Sequence, residues 1–172
     1  MTPEAISLVR LEPRALLWIE VWSEAGKAAL AEMVGGPLPP PNWIVTLGEW
    51  RAEGVEPGVW RLLGVAEAAE FTVVRLKEAL ASDGAVIDLS GAEGVLALRG
   101  EHWREALMIG GVFDAESLSF TVGAAAGTVL HHTPVRYGVD ETGVEIACAL
   151  SRLDDLAHHL ARAVDRINRS GF

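Results

Sequence analysis

The stretch VIDLSGAEGVLALRG, Val86 to Gly100, decides how this chain is read. It is two apolar, β-branched runs separated by Ser90 and Gly91, so it reads as two strands joined by a tight turn. EHWREALMIGG follows as a short helix closed by Gly110 and Gly111. Asp88 and Ser90 are two apart, which places both side chains on one face of a strand, where they could be a base and a nucleophile. A serine nucleophile also needs an oxyanion site, and no GxSxG elbow surrounds Ser90. Asp and Ser ahead of a glycine more often hydrogen-bond the backbone of the turn that follows. The stretch is therefore expected to be framework, the central hairpin of a lobe.

Outward from it the pattern is regular. FTVVR (71–75) reads as a strand, LKEALASDG (76–84) as a helix, GTVLHHTPVRYGV (127–139) and GVEIACAL (143–150) as strands. SRLDDLAHHLARAVDRINRS (151–170) is a helix with Ser151 and Asp154 in capping-box spacing and an apolar stripe of Leu153, Leu156, Leu160, Val164 and Ile167. Two strand–helix–strand units flanking a hairpin make an α+β fold of ferredoxin-like split βαβ type, with an antiparallel sheet and its helices on one face. The expected division is 1–70, a smaller N-terminal α/β segment with a proline-rich connection, and 71–172, the ferredoxin-like lobe ending in the long amphipathic helix.

Upstream, ISLVRLEPRALLWIEVW gives two strand-like runs broken at Glu12-Pro13-Arg14. In the second run Leu17, Ile19 and Val21 share one face, while Leu16, Trp18 and Trp22 lie on the other, so the strand is apolar on both sides except at Glu20. SEAGKAALAEMVGG (23–36) has a Ser N-cap, an acidic first turn and terminal glycines, the signals of a short helix. Pro37, Pro39, Pro40 and Pro41 then hold an extended segment. WIVTLG and GVWRLLGV are short strand candidates, and the acidic, glycine-containing EWRAEGVEPG reads as the break between them.

Composition narrows the chemistry. The 172 residues are 50% hydrophobic and 22% charged, an apolar surplus that either a large core or apolar surface covered by a partner explains. Twenty-four acidic and fourteen basic side chains give a formal charge of −10, which repels nucleic acid and anionic membranes. Cys148 is the only cysteine, so an intrachain disulfide and a CxxC site are excluded. Charges interrupt every apolar stretch near the N-terminus, and the expectation is a soluble, cytoplasmic protein.

The remaining polar candidates read as surface or frame. His131 and His132 are neighbours on an expected strand and so face opposite ways; His158 and His159 diverge on a helix. Only Asp154 with His158 and Asp155 with His159 have i, i+4 spacing, and nothing completes a metal set. His102 opens a helix alone. Gly123 and Gly127, like Gly110 and Gly111, do not follow a strand and open a helix as a nucleotide loop must. No catalytic, cofactor-binding or metal residue is assigned. The six tryptophans say more: Trp18, Trp22, Trp43, Trp50 and Trp60 fall early and Trp103 later, and Trp18 and Trp22, on the non-core face of a strand, are the candidate partner interface.

LPPPNW (38–43), AVIDLSGAEGVLALRGEHWREALMIGGVFD (85–114), SFTVGAAAGTVLHHTPV (119–135) and VEIACALSRLDDLAHHL (144–160), in that order, resemble the gamma subunit of heterotetrameric sarcosine oxidase, a family related to the folate-binding lobe of aminomethyltransferases. LGVAEAAEFTVV departs from the family's Gly-Pro-acidic-Trp-Leu segment, and the first fifty residues match little, leaving a sister complex such as an N-methylglutamate dehydrogenase open. The resemblance implies a non-catalytic accessory subunit of an oxidoreductase complex acting on N-methyl amino acids. FAD, FMN, NAD and tetrahydrofolate are then implied for the larger flavoprotein and folate-handling subunits, and none for this chain. The alternative is a stand-alone folate-binding protein of aminomethyltransferase type.

Overall fold

The structure is a computed structural model and describes residues 6–65, 69–111 and 114–170, without the side chains of 69–71. Residues 1–5 of the N-terminal stretch, 66–68 of LGVAEAAEFTVV and 112–113 of the segment 85–114 lie outside the described residues. The chain forms two compact units, Pro13–Ala92 and Met1–Glu12 with Glu93–Phe172. It therefore divides at 12/13 and 92/93, and the expected boundary at 70/71 falls inside a unit.

The Pro13–Ala92 unit runs β2 (Arg14–Val21), α1 (Glu24–Val34), β3 (Ile44–Leu47), β4 (Trp50–Glu56), β5 (Val59–Val65), α2 (Ala69–Leu80) and β6 (Gly84–Asp88), after a first strand, β1 (Ser7–Arg10), that belongs to the other unit. Its sheet has the order β3-β4-β5-β2-β6 with every neighbouring pair antiparallel. Without the edge strand β3 this is the ferredoxin-like β-α-β-β-α-β arrangement. Leu17, Ile19 and Val21 enter its core with Leu30, Leu62 and Leu76, as the alternation of β2 requires. Ser23 caps α1, accepting from the Gly26 N–H at 3.0 Å, and Gly35 ends it with φ 83.

Two sequence expectations fail here. FTVVR is not a strand but part of α2, because Val73, Leu76 and Leu80 recur at helical spacing and pack on this core. The break EWRAEGVEPG contains β4, held by its register with both β3 and β5. Gly54 is required at the bulge in β4, since a Cβ there would meet the Pro40 carbonyl oxygen. Trp60 donates its indole N–H to the Pro39 carbonyl at 2.9 Å, so the proline segment is tied to β5.

The other unit contains β7 (Glu93–Arg99), α3 (Trp103–Gly110), β8 (Ala125–Leu130), β9 (Thr133–Asp140), β10 (Gly143–Ala149) and α4 (Leu153–Ser170), with a 3₁₀ turn at Leu118–Phe120. Its sheet has the order β1-β7-β10-β9-β8, again antiparallel throughout. The topology repeats that of the first unit, β7 matching β2 and β8 matching β3, except that the last strand comes from the start of the chain. β6 and β7 thus lie in different sheets. The stretch from Val86 to Gly100 is a crossing between units, not the hairpin expected from its turn signal. The stripe of α4 is buried as expected, with Ala163 added, and Asn168 Nδ2 donates to the Ile6 carbonyl at 3.0 Å, fastening the N-terminal strand. Asp154 does not serve chiefly as a box residue: a 3₁₀ turn at Leu150–Arg152 precedes α4, and Arg10 bonds Asp154 Oδ1 at 2.9 Å.

Candidate functional site

β2 positions Trp18, and the chain end of that strand positions Trp22, but their surroundings differ. Trp18 is half-buried on the non-core face, and its indole N–H donates to Glu20 Oε1 at 3.1 Å. Leu16, on the same face, is only 4% exposed, so this chain covers much of that face itself. In the same row of the sheet Trp18 lies opposite Arg61, which lies opposite Glu53. Arg61 and Glu53 pair at 2.9 Å with side chains 2% and 4% exposed. Buried guanidinium and carboxylate must be matched to each other, and here they are. The sequence hid this pair because Glu53 lay in the supposed break; an Arg in an otherwise apolar strand was the available signal.

Trp22 lies one residue past β2, its N–H bonded to the Asp83 carbonyl at 2.8 Å and its side chain 66% exposed. It rims a groove of about 440 Å³ whose other walls are Val21, Pro41, Pro57, Gly58 and Trp60, with Glu24, Glu56 and Lys27 at its margin. An apolar ring left this open is what an interface anchor requires.

Asp88 ends β6 and Ser90 stands in the turn that follows. The Asp88 carboxylate accepts the Ser90 N–H at 2.8 Å, and Ser90 Oγ accepts the Leu16 N–H at 3.1 Å, which caps the end of the β2–β6 ladder. Bonds from the Ser90 side chain and backbone hold the Asp88 carboxyl below its usual range. This is turn chemistry, as the sequence indicated. Cys148 is buried, and desolvation pushes its thiol upward. His102 pairs with Glu105 at 2.9 Å at the start of α3.

The structure corrects the reading of His131 and His132. They are not strand residues but the two residues of the β8–β9 hairpin turn, both left-handed at φ 47 and φ 62. The His131 ring stacks on His159 of α4 with centroids 4.5 Å apart, and His158 meets His159 edge-on at 5.9 Å. Sequence spacing separates these rings by almost thirty residues, so only the fold brings them together. Among the described residues, no group of three or more His, Cys, Asp or Glu is placed to hold a metal ion.

Two antiparallel sheets of repeated topology, with helices, define an α+β protein. A chain of heterotetrameric sarcosine oxidase from Corynebacterium sp. U-96, solved with pyrrole 2-carboxylate, matches with a TM-score of 0.86 at 23% identity over 98% of this chain and 88% of that one. Glycine cleavage system aminomethyltransferase T from Bartonella henselae matches with a TM-score of 0.70 at 18% identity over 92% of this chain and 46% of that one, so this chain spans about half its length. The regulatory subunit of aspartate kinase from Thermus thermophilus shares the fold more distantly, with a TM-score of 0.52 at 11% identity over 91% and 97%. Comparison with curated proteins finds no match. The profile of the sarcosine oxidase gamma subunit family, SoxG, matches residues 21–157, and the chain belongs to that family.

Proposed function

We propose that this chain is an accessory subunit of a heteromeric flavin-dependent complex that oxidises N-methyl amino acids such as sarcosine, and that it has no catalytic residues of its own. Family membership supports this reading over a stand-alone folate-binding protein. FAD, FMN, NAD and tetrahydrofolate are handled by the larger subunits, in the cytoplasm. The chain docks on a larger subunit through Trp22 and its groove, and the half-buried Trp18 of β2 is the second candidate contact. The observation that carries the docking face is the 66% exposure of Trp22 at the rim of a groove walled by prolines and a second tryptophan.

The test is co-purification with the larger subunits of a sarcosine oxidase-type complex. The wild-type chain should co-elute with them, and Trp22→Ala should weaken the association by about 2 kcal/mol, the scale of an interface hot spot. Purified alone, the chain should show neither flavin absorbance nor turnover of sarcosine, and negligible tetrahydrofolate binding by calorimetry. Stoichiometric flavin in the isolated chain, or unchanged association of Trp22→Ala, counts against the proposal.

A further inference from the structure

Four of the five histidines gather at one end of the Glu93–Phe172 unit, and neither the sequence reading nor the proposed function accounts for them. The β8–β9 connection is a two-residue turn that demands positive φ at both residues. Glycine or asparagine normally fills such positions, and two adjacent side-chain-bearing residues there carry strain unless something else holds them. At the matching place in the other unit, between β3 and β4, Gly48 takes the left-handed position with φ 58. The histidine turn is therefore not a requirement of the topology.

What holds it is the His131 side chain. Its ring lies between the C-terminal end of α3 and α4, and the backbone is tied there as well: the His131 backbone N–H donates to the Gly110 carbonyl at 3.0 Å, and Leu130 bridges Gly111. A Cβ on Gly110 would collide with the ring at Nε2, so glycine is needed there to admit it. On the other side the ring is stacked on His159, inclined by only 12°. Among the described residues, His131 Nε2 is the one buried side-chain nitrogen or oxygen without a hydrogen-bond partner. An orphaned ring nitrogen costs free energy when neutral and far more when charged.

The groups around it are all of one kind. His132 adjoins it on the turn, and His159, backed by His158, faces it from α4. The end of α3 offers only the backbone of Gly110 and Gly111. Asp155, one turn before His159, pairs instead with Arg152 at 3.9 Å. Burial lowers the affinity of His131 for a proton, and His159 and His132 lower it further.

We propose that the His131–His132 turn is a proton-operated latch: with the His131 ring neutral the tip of the β8–β9 hairpin is clasped between α3 and α4, and protonation of that ring releases it. Release opens the Leu130–Gly111 bridge and loosens β8, the edge strand of its sheet, next to the exposed side chains of Ile109 and Val129. The inference is independent of the docking face on the other unit.

Amide hydrogen exchange on the full chain at pH 7.5 and 5.5, expressed as protection factors, tests it. A released tip titrates near the ordinary histidine value of about 6.5, so the open population should rise up to about tenfold between the two pH values. Protection of the amide at position 131 should fall accordingly, while the amides of Val144 and Ile146 in β10 hold. His131→Asn suits the left-handed turn and cannot titrate, so its tip should be equally protected at both pH values; His159→Gln should lessen the fall. The latch is refuted by unchanged protection at position 131, by the same fall in His131→Asn, or by a parallel fall in β10.

Discussion

The two units share one topology, yet they close and fill it differently. Pro13–Ala92 completes its sheet with β6, the strand that follows its second helix. In Glu93–Phe172 no strand follows α4 among the described residues, and the sheet takes β1 from the other end of the chain. One unit buries an ion pair, Arg61 with Glu53, on its second face; the other is filled by a ring stack, Phe120 on Tyr137 with centroids 4.4 Å apart, and by the apolar stripe of α4. The lesson is that strand order fixes neither the source of a strand nor the chemistry of the interior, provided each buried group finds its match.

The difference can be broken most forcibly at the ion pair. Arg61→Met should destabilise the chain by about 3–5 kcal/mol in urea unfolding, since it removes the guanidinium that pairs with the buried Glu53 carboxylate. The double variant with Glu53→Leu should recover most of that loss. A loss under about 1 kcal/mol in the single variant would mean that the pair does not govern this unit.

The borrowed strand gives the next effect. Ile6 is near the chain start but 1% exposed in the core of the Glu93–Phe172 unit, so Ile6→Ala should cost about 2–5 kcal/mol. Denaturation indistinguishable from wild type would show that β1 is dispensable there.

The tryptophans sharpen the comparison within β2. Trp18→Ala should cost the isolated chain about 1–3 kcal/mol because its ring is half-buried and hydrogen-bonded, whereas Trp22→Ala should stay within about 0.5 kcal/mol. Equal melting shifts for the two variants would remove the distinction between them.

Acid separates the units most gently. The folded-state affinity of His131 for a proton is lowered, so its contribution to stability is present above pH 6.5 and declines as pH falls below that value. Asp140 behaves likewise in a lower window. Burial raises its carboxyl, but Thr142 and Arg99 outweigh this and hold it below 3.8; its contribution is kept above that pH and lost as pH falls through the folded-state value. In the Pro13–Ala92 unit Asp88 contributes in the lower window too. Residue-resolved exchange from pH 7.5 to 5.5 should therefore show the β8–β9 tip of the Glu93–Phe172 unit losing protection first, by up to about tenfold, while β10 and the Pro13–Ala92 unit hold; simultaneous weakening of both units would contradict it.

The sequence alone determined what short-range chemistry can encode. Ser23 and Gly35 delimit α1, alternation assigns Leu17, Ile19 and Val21 to the core, a 3.6-residue stripe specifies α4, and Asp88 with Ser90 forms a turn. Each signal lies within a few residues of the structure it makes. The motif series of the family was equally legible. Tertiary structure alone decided the rest: that FTVVR becomes helix, that EWRAEGVEPG supplies a strand, that β6 and β7 part into different sheets, that β1 pairs with a strand some ninety residues away, and that His131 meets His159. In these cases local preference is weak or divided, and the outcome is set by which partner can bury the segment, a quantity that no stretch of chain carries by itself.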